Sequence, residues 1–373
     1  MQILGSSRAM PSKKSNHFVP RVHLRPFSKD KKGRAISLLN LSSKQFIAAA
    51  SVSGQCAKDY FYGKDGNLED WFQKIEGAYG AIIRKLGERE WKIDRDEMNF
   101  LRDFALLQHL RTEQSLKRDK LAQIQMLDMV FHGAEERKPQ FDMSYASLAE
   151  SSVAMFQDAV RFVDDLSVCL IKNESAIEFV TSDDPAVRAN RFQQKRPGFD
   201  GYDSGIMGAG EMIFLPLTPQ YLMLSYDKNV YRIEGFRNGC VPVRKATDIN
   251  CLNELQHLNA LNNIYFSGWD KREKILSEAQ RLDSERRPER FCVNYAVFDH
   301  RSERGEVFRA ISDMSEVSGT ERAMIATHMW ALRPTQWPSF LKYRHKPKYL
   351  VVGSAKNWLR RNDKQYDETP HYF

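Results

Sequence analysis

A change in the spacing of apolar residues divides the first half of this chain into strand-forming and helix-forming parts. In "LEDWFQKIEGAYGAIIRKL" (68–86), apolar residues recur every three or four positions, which is the period of an amphipathic helix. The stretches 94–131 and 142–166 carry the same period. Residues 34–52 instead read as two short strands joined by a polar turn. We therefore predict a helical block at about residues 68–166 that follows a small strand region.

Strand-like patterns return after the helical block. The expected elements are a hairpin at 166–183, strands at 211–219 and 221–227, a helix at 247–268, a strand at 290–299 and a short helix at 315–332. Residues 188–210, rich in Gly, Arg and Asp, read as a long loop. Together these patterns predict an α+β fold, mostly α, in which a mixed small β-sheet packs with the large helical block.

The length and the weak signals after residue 284 suggest how the chain is organised. A chain of 373 residues can form one large domain or two ordinary ones. We predict a flexible basic tail at 1–15 and a single α+β domain at 16–283, which contains the helical block. Residues 284–373 would form a C-terminal basic α/β extension, either separate or part of the same domain.

The cysteines and the apolar runs exclude several classes of protein. The five cysteines are scattered and form no CxxC pair, which is typical of reduced thiols and argues against a structural zinc site. No apolar run approaches the roughly 20 residues that a membrane span needs. We therefore expect a cytoplasmic location and no membrane partner, and the oligomeric state stays open.

Positive charge is concentrated at the two ends of the chain. Residues 1–34 hold nine Lys or Arg against one acid, and residues 331–373 hold nine against three. Basic ends of this kind could bind nucleic acid. The alternative is that they are solvated tails, because only a cluster on one folded face makes a nucleic-acid footprint.

The segment "NHFVPRVHLRPFS" (16–28) combines rigid and polar residues ahead of the first strands. Each proline biases the residue before it toward extended geometry. We predict that this segment is a fixed wall of a polar site and that it delivers His17 there. Further along, Glu76 lies within the apolar stripe of a predicted helix, so it either points into a cavity or is exposed at the edge of the stripe.

Two more polar side chains interrupt an apolar helical stripe in "FALLQHLRT" (104–112). Gln108 and Arg111 each follow an apolar residue by four positions, so both fall on or beside the stripe. Half-buried Gln and Arg need partners, and carboxylates or a ligand phosphate suit the planar guanidinium. The alternative is that they tie Glu76 and a neighbouring helix together.

A third polar group, Ser182, Asp183 and Asp184, follows a strand in "FVTSDDPAV" (179–187). Polar residues at the end of a strand are well placed to enter a cleft, and two adjacent acids could bind a metal or act as a general base. Ser, Asp and Pro are also ordinary turn residues, so a simple turn is the alternative.

In this order, these stretches are similar to a bacterial family known as domain of unknown function 4238. The similarity rests on "HFVPRVHLRPFS", "DYFY", "WFQKIEGAYGAIIRKL", "DFALLQHLRT", "FVTSDDPAV" and "FLPLTP", and it covers about residues 16–270. What the resemblance implies attaches to His17, Pro20, Leu24, Phe27, Glu76, Gln108, Arg111, Thr112, Ser182, Asp183 and Pro185. The family usually has Tyr in place of His23 and Asn in place of Asp184. Its activity is not established, so the resemblance implies a shared polar pocket but no particular reaction.

Three hypotheses follow. The first is an enzyme that acts on a phosphate-bearing substrate, in its sharpest form a metal-dependent nuclease. Its catalytic residues would be His17, Glu76, Gln108, Arg111, Ser182 and Asp183, and its Mg or Mn ligands would be Glu76, Asp183 and Asp184. The second is a module that binds a nucleotide, a peptide or nucleic acid without a reaction. The third is a structural network built on the buried pairs Glu76–Arg111 and His17–Asp183.

Overall fold

The fold is known from a computed structural model, which describes residues 14–30, 32–88, 91–131, 134–287, 290–302, 305–312, 316–317, 322–352 and 357–360. In these ranges the α-helices are α1 (Arg21–Leu24), α2 (Asn67–Leu86), α3 (Arg95–Leu110), α4 (Glu113–Val130), α5 (Tyr145–Ala159), α6 (Ala246–Asn259) and α7 (Arg272–Arg281). The predicted flexible tail at 1–15 lies outside the described residues up to residue 13, and Ser15 already begins a strand.

The strands of the described residues form six sheets. They are β1 (Ser15–His17), β2 (Ala35–Asn40), β3 (Phe46–Ser51), β4 (Ala57–Asp59), β5 (Ser167–Asn173), β6 (Thr181–Ser182), β7 (Val187–Ala189), β8 (Met212–Thr218), β9 (Tyr221–Tyr226), β10 (Tyr231–Ile233), β11 (Cys240–Val243), β12 (Asn263–Phe266), β13 (Phe291–Ser302), β14 (Gly305–Ile311), β15 (Ala323–Met329), β16 (Leu341–Tyr343), β17 (Tyr349–Val352) and β18 (Asn357–Arg360). The two largest sheets have the orders β11-β5-β9-β8-β7 and β3-β2-β12-β6.

The prediction of a mostly α fold is wrong. In the described part of the chain, seven α-helices stand beside eighteen strands, so the fold is a balanced mixture of α and β. The largest error lies near the C-terminus, where the stretch predicted as a helix at 315–332 contains β15. β15 pairs with β13 over seven residues, and this pairing outweighs the weak helical period of the short stretch.

Apolar packing of α2 and α3 on the five-stranded sheet builds the core next to the cleft described below. Strands β8 and β9 are buried along their whole length, as expected for the strands predicted at 211–219 and 221–227. The rings of Tyr79 on α2 and Phe104 on α3 stack with centroids 4.0 Å apart. Both belong to the apolar cluster that includes Ile213 and Leu215 of β8. This contact fixes the orientation of α2, and therefore of the polar face that it turns away from the sheet.

The helix predicted at 94–131 is two helices. Its predicted start is confirmed, since Asp94 and Glu97 form reciprocal side-chain bonds to each other's backbone at the beginning of α3. The chain then breaks at Arg111 and Thr112, where the Thr112 side chain accepts a hydrogen bond from the Ser115 amide and begins α4. The break gives Arg111 a position at the very end of α3, with its side chain directed into the interior.

The hairpin predicted at 166–183 is wrong. Strand β5 forms as expected, but it lies in the five-stranded sheet between β11 and β9. Residues 181–182 form the short strand β6, which pairs with β12 in the four-stranded sheet. Since β7 returns to the five-stranded sheet, residues 183–186 carry the chain from one sheet to the other. The polar group predicted at 182–184 therefore sits at a junction between two sheets.

The residues after 284 contact the rest of the chain at several points. Strand β16 pairs with β10, and Leu332, Phe340 and Leu341 belong to the same apolar cluster as residues of β5, β8 and α6. The division of the chain near residue 284 stays a prediction. No helix in the described ranges is long and apolar enough to span a membrane.

Candidate functional site

A cleft of about 700 Å³ lies between the N-terminal segment and one face of α2, and we call it the N-terminal cleft. Its lining residues are Lys14, Ser15, His17, Arg21, Val22, Arg25, Ser53, Glu69, Gln73, Glu76, Gly77, Gly80 and Arg84. Six of these residues come from α2, and apart from the adjacent pair Glu76 and Gly77 they recur at intervals of three or four, which places them on one face of the helix. Two of the residues predicted from the sequence, His17 and Glu76, therefore share one cleft.

Strand pairing holds His17 at the edge of this cleft. β1 pairs antiparallel with β4, with His17 opposite Ala57. His17 Nε2 lies 3.0 Å from the Ser53 carbonyl oxygen, and when it donates to that oxygen, Nδ1 is left as an acceptor. Burial lowers the pKa of His17 below its ordinary value, and the nearby positive charges of Arg21 and Arg111 lower it further. The hydrogen bond to the Ser53 carbonyl acts in the opposite direction and raises it. His17 is therefore mostly neutral at pH 7.

A chain of hydrogen bonds connects the cleft to the interior through Arg111. Arg111 Nη2 donates to Glu76 Oε1 at 3.0 Å, and Arg111 Nε donates to Gln108 Oε1 at 3.0 Å. Gln108 Nε2 then donates to the Phe18 carbonyl oxygen at 2.8 Å. The Arg111 side chain is fully buried and lies over the ring of Phe72, 4.5 Å from its centroid. This chain ties the N-terminal segment to α2 and α3 and holds the Glu76 carboxylate at the cleft.

Glu76 differs from its partner in exposure. Its side chain keeps about a quarter of its surface accessible, whereas Arg111 has none. Burial raises the pKa of Glu76, and the Arg111 guanidinium opposes this rise. One carboxylate oxygen of Glu76 thus accepts a hydrogen bond from the buried Arg111 guanidinium, while part of the side chain is exposed to solvent in the cleft.

The N-terminal cleft carries an excess of positive charge. Arg21, Arg25 and Arg84 are exposed, and none of them makes an ion pair with the described part of the chain. Lys14 adds a fourth cation, although it pairs with Asp59 outside the cleft. The opposing charges in the lining are the carboxylates of Glu69 and Glu76.

Two glycines on α2 shape the wall of this cleft. A side chain at Gly80 would meet Val22, because an added Cβ would lie 2.9 Å from Val22 Cγ2. Gly80 therefore allows the close approach of α1 and α2. Gly77 has open space where a Cβ would stand, so no packing contact requires glycine there. A glycine inside a helix costs roughly 0.5–1 kcal/mol of stability relative to alanine. At Gly77 the missing side chain leaves space in the cleft that a larger residue would occupy.

Asp183, by contrast, is a closed site. Its two carboxylate oxygens accept hydrogen bonds from the backbone amides of Leu261, Asn262 and Asn263, at 2.9, 2.8 and 3.1 Å. The first two of these amides belong to the turn that connects α6 to β12, and Asn263 is the first residue of β12. Burial raises the pKa of Asp183 to about 6, while the three amides oppose the rise. Asp183 therefore fixes the backbone of this turn.

Asp184 is also buried, with different partners. Its Oδ1 accepts from Thr112 Oγ1 at 3.0 Å, and in the amide orientation that satisfies both ends, Gln114 donates to Oδ2 at 3.2 Å. Burial raises the pKa of Asp184 to about 7, with Arg118 and the Thr112 bond opposing. Ser182 Oγ donates to Gln256 Oε1 at 2.8 Å. We call Thr112, Gln114, Ser182, Asp183, Asp184 and Gln256 the aspartate network.

His23 connects the helix of the cleft to the strand that leads into the aspartate network. Its Nδ1 lies 2.9 Å from the Tyr79 hydroxyl and its Nε2 lies 2.8 Å from Thr181 Oγ1. The side chain is fully buried, and burial lowers the pKa of His23 to about 3. The neutral His23 ring therefore connects α2 to β6, because each of its nitrogens hydrogen-bonds one hydroxyl group.

The structure brings together some of the predicted site residues and separates others. Glu76, Gln108 and Arg111 are hydrogen-bonded in one chain, and His17 shares the cleft with Glu76. Ser182, Asp183 and Asp184 form the separate aspartate network. The pair Glu76–Arg111 is present as predicted, whereas the predicted pair His17–Asp183 is not formed, because His17 lies against Ser53 and Asp183 binds backbone amides.

The three carboxylates predicted to share a metal have separate partners. Glu76 binds Arg111, Asp183 binds three backbone amides, and Asp184 binds Thr112 and Gln114. Within the ranges that the structure describes, no group of three or more His, Cys, Asp or Glu side chains is placed to hold a metal ion. The geometry gives the predicted Mg or Mn site no support.

Sequence reasoning gave no role to the unpaired arginines of the cleft. Arg84 follows Glu76 by eight residues, so the two lie about two helical turns apart on one face of α2. That spacing can be predicted from the sequence, but the sequence does not show that the N-terminal segment forms the opposite wall of the cleft. Arg21 and Arg25 stand in the opening segment, and only the fold shows that their side chains line the same cleft as α2.

Comparison with known proteins gives one family. Residues 15–269 match a family described as protein of unknown function (DUF4238). No curated protein and no protein of solved structure is significantly similar to the chain. The matched range contains the whole aspartate network and every lining residue of the N-terminal cleft except Lys14.

Proposed function

We propose that this chain, which belongs to the DUF4238 family, binds a phosphate-bearing ligand of the nucleotide or single-stranded nucleic-acid class in the N-terminal cleft. The observation that carries the proposal is the set of three exposed guanidiniums, Arg21, Arg25 and Arg84, that line one cleft and make no ion pair with described residues. Unpaired arginines in a concave surface attract phosphate groups, and each can bind one through two parallel hydrogen bonds.

The cleft has features that suit such a ligand beyond its charge. A volume of about 700 Å³ accommodates a nucleotide-sized molecule. Lys14, Arg21 and Arg25 belong to the basic segment 1–34, so part of the predicted positive N-terminus is gathered on this surface. The prediction that the chain ends themselves recruit nucleic acid stays a prediction, because residues 1–13 and 361–373 lie outside the described residues.

A second candidate is acid–base cleavage of a phosphodiester in the same cleft. One observation favours it: the pKa of His17 is lowered and the pKa of Glu76 is raised, so two titratable groups of one cleft are shifted toward each other. A neutral His17 could accept a proton from an attacking hydroxyl, and Glu76, whose pKa is raised by burial, could donate one to a leaving oxygen in the fraction of molecules in which it is protonated. Arg111, bonded to Glu76, would then act as a positioning residue.

The sharper hypothesis of a metal-dependent nuclease is less well supported than either of these. It needs Glu76, Asp183 and Asp184 on one ion, and their oxygens are engaged with three different sets of partners. The five unpaired cysteines support the proposal that the protein acts in the cytoplasm.

The test is a titration of the full chain with a short fluorescein-labelled single-stranded RNA, followed by anisotropy. The test variant is Arg21→Ala/Arg84→Ala. Its control is Arg244→Ala, which removes a charge from a side chain that is 82% exposed and lies outside the cleft. We expect the double variant to weaken binding at least tenfold and the control to have little effect.

Salt dependence separates cleft binding from diffuse attraction. For single strands the slope of log affinity against log salt changes by about 0.7 per phosphate contact, so the double variant should lose about 1.4. Equal affinity and equal slope in the double variant and the control would overturn the proposal. Cleavage of the same RNA in the presence of a chelator, lost in His17→Ala, would establish the second candidate.

A further inference from the structure

A second pocket lies far along the chain from the cleft, between α6 and α7, and we call it the α6–α7 pocket. Its volume is about 140 Å³. α6 contributes Asn250, Asn253, Glu254 and His257, and the α7 region contributes Lys271, Lys274, Ile275 and Glu278. Both sets have the spacing i, i+3, i+4 and i+7, so the pocket lies between one face of each helix. Residues 176–180, Phe266 and Gly268 complete its lining.

The inner surface of this pocket is mainly apolar. Ile177, Phe179, Val180, Phe266 and Ile275 supply the apolar surface, and all except Ile177 are buried side chains of the core. An apolar pocket of roughly 150 Å³ is the size that takes up a benzene-sized molecule in proteins. The α6–α7 pocket therefore has the volume and the surface for a single aromatic ring.

The charged residues of the lining compensate one another. Lys271 pairs with Glu178 at 3.2 Å. Glu254 and Glu278 both bind Arg281, which lies just beyond the pocket. Lys274 also lines the pocket and makes no ion pair in the described residues, but the three glutamates of the lining balance its two lysines and Arg281 in number. The net charge at the pocket is therefore close to zero, which favours a neutral ligand over an ion.

Two polar side chains of the α6 face make no hydrogen bond with the described residues. Asn253 is satisfied, since it donates to the Glu178 carbonyl at 2.9 Å and accepts from the Val180 amide at 3.1 Å. His257 is 3% exposed, and its Nδ1 is buried without a partner in the described part of the chain. Asn250 lies two turns earlier on the same face and makes no side-chain hydrogen bond within the described ranges.

A buried polar group without a partner is costly, because it has lost water and gained nothing in return. Burial, with Arg286, Lys44 and Arg281 nearby, lowers the pKa of His257 to about 3, so its ring is neutral and carries one donor and one acceptor. A half-turn of the ring exchanges its nitrogen and carbon positions, so the ring can turn a nitrogen toward a ligand.

We propose that the α6–α7 pocket binds a small neutral aromatic molecule that carries one hydroxyl or N–H group. The ring of the ligand packs against Phe179, Val180 and Ile275, and its polar group hydrogen-bonds His257. This site shares no lining residue with the N-terminal cleft, and it does not depend on the function proposed for that cleft.

The test uses phenol and benzene as probes of the full chain, with binding followed by calorimetry and by ligand-observed NMR. The two probes differ by one hydroxyl group. We expect saturable one-to-one binding of both, with phenol bound about tenfold more tightly, because one hydrogen bond to a buried group is worth about that factor. His257→Phe should remove the preference for phenol while benzene still binds.

A filling variant provides the second arm. Ile275→Trp should abolish binding of both probes, because the larger side chain occupies the pocket. Glu273→Trp is its control, since Glu273 lies on the same helix, is 71% exposed and does not line the pocket. Absence of saturable phenol binding to the native chain would overturn the proposal, and so would phenol binding that survives Ile275→Trp. If Ile275→Trp does not fold, the loss of phenol preference in His257→Phe decides alone.

Discussion

The N-terminal cleft and the aspartate network are both clusters of polar side chains, but they differ in how much of their hydrogen-bonding capacity is already used. In the network, Asp183 and Asp184 are buried and each binds protein donors. In the cleft, Arg21, Arg25 and Arg84 are exposed and make no ion pair in the described ranges. A satisfied buried group stabilises the fold, whereas an unsatisfied exposed group is available to a ligand. The comparison assigns stability to one region and binding to the other.

The largest effect should come from breaking the network at Asp183. Asp183→Ala leaves the amides of Leu261, Asn262 and Asn263 buried without an acceptor. We expect the free energy of unfolding to fall by about 4 kcal/mol, measured by urea denaturation at pH 7. Asp299→Ala removes an exposed aspartate and should change it by less than about 0.5 kcal/mol. A loss below about 1 kcal/mol in Asp183→Ala would contradict the structural role of this carboxylate and leave it available for another role.

A smaller loss of unfolding free energy is expected at Arg111, which is buried like the aspartate network but holds Glu76 at the N-terminal cleft. Arg111→Met keeps the apolar length of the side chain but removes its bonds to Glu76 and Gln108. Breaking a buried ion pair typically costs about 3–5 kcal/mol, but Glu76 remains partly solvated, so we expect about 2 kcal/mol. Thermal unfolding of Arg111→Met measures this loss, and Arg244→Met is the control because the Arg244 side chain is 82% exposed. An unchanged melting temperature would mean that Arg111 serves the ligand rather than the fold.

The raised pKa of Asp184 should make the unfolding free energy depend on pH. Its pKa is raised to about 7 in the folded chain, so the folded state holds a proton that the unfolded state releases near pH 4. Stability from this group is therefore full below about pH 4 and is lost as the pH rises toward 7. The charged groups that act on Asp184 are Arg118, Asp183 and Arg290.

Asp184→Asn should remove this dependence. A protonated carboxyl offers one donor and one acceptor, as the amide of asparagine does. We expect the unfolding free energies of native chain and variant to agree below about pH 4, where the carboxyl is protonated in both states, and the variant to be more stable by roughly 2–4 kcal/mol at pH 8. A variant less stable at pH 8 would show that the ionised carboxylate is needed.

The smallest effect on stability is expected at His17. The side chain is half-buried and makes one hydrogen bond, to the Ser53 carbonyl. His17→Ala should lower the free energy of unfolding by no more than about 1 kcal/mol. The same variant should weaken RNA binding severalfold, which a purely structural residue would not do. A larger loss of stability with unchanged binding would move His17 into the structural class.

Local patterns predicted several elements of this fold correctly. The helical period of α2 and the capping pair Asp94 and Glu97 depend only on neighbouring residues, and both are confirmed. Strands β2 and β3 were also predicted within a few residues. The strand β15 was read as helix because its assignment depends on pairing with β13, which lies about thirty residues earlier in the chain.

The site was predictable to a similar degree. Polar residues within apolar stripes pointed to Glu76, Gln108 and Arg111, and the fold joins these three. The sequence could not show that Asp183 and Asp184 have hydrogen-bond partners other than those of Glu76, because that depends on how residues 183–186 cross between two sheets. It also could not show that the arginines of the opening segment meet Arg84 across a cleft.

The most direct test of this comparison is the anisotropy titration of labelled single-stranded RNA, carried out with Arg21→Ala/Arg84→Ala and Asp184→Asn side by side. We expect the double arginine variant to keep native stability and to lose at least tenfold in RNA affinity, with a shallower salt dependence. We expect Asp184→Asn to bind as the native chain does. Loss of binding in Asp184→Asn, with the arginine variant unaffected, would contradict the account and place the ligand at the aspartate network.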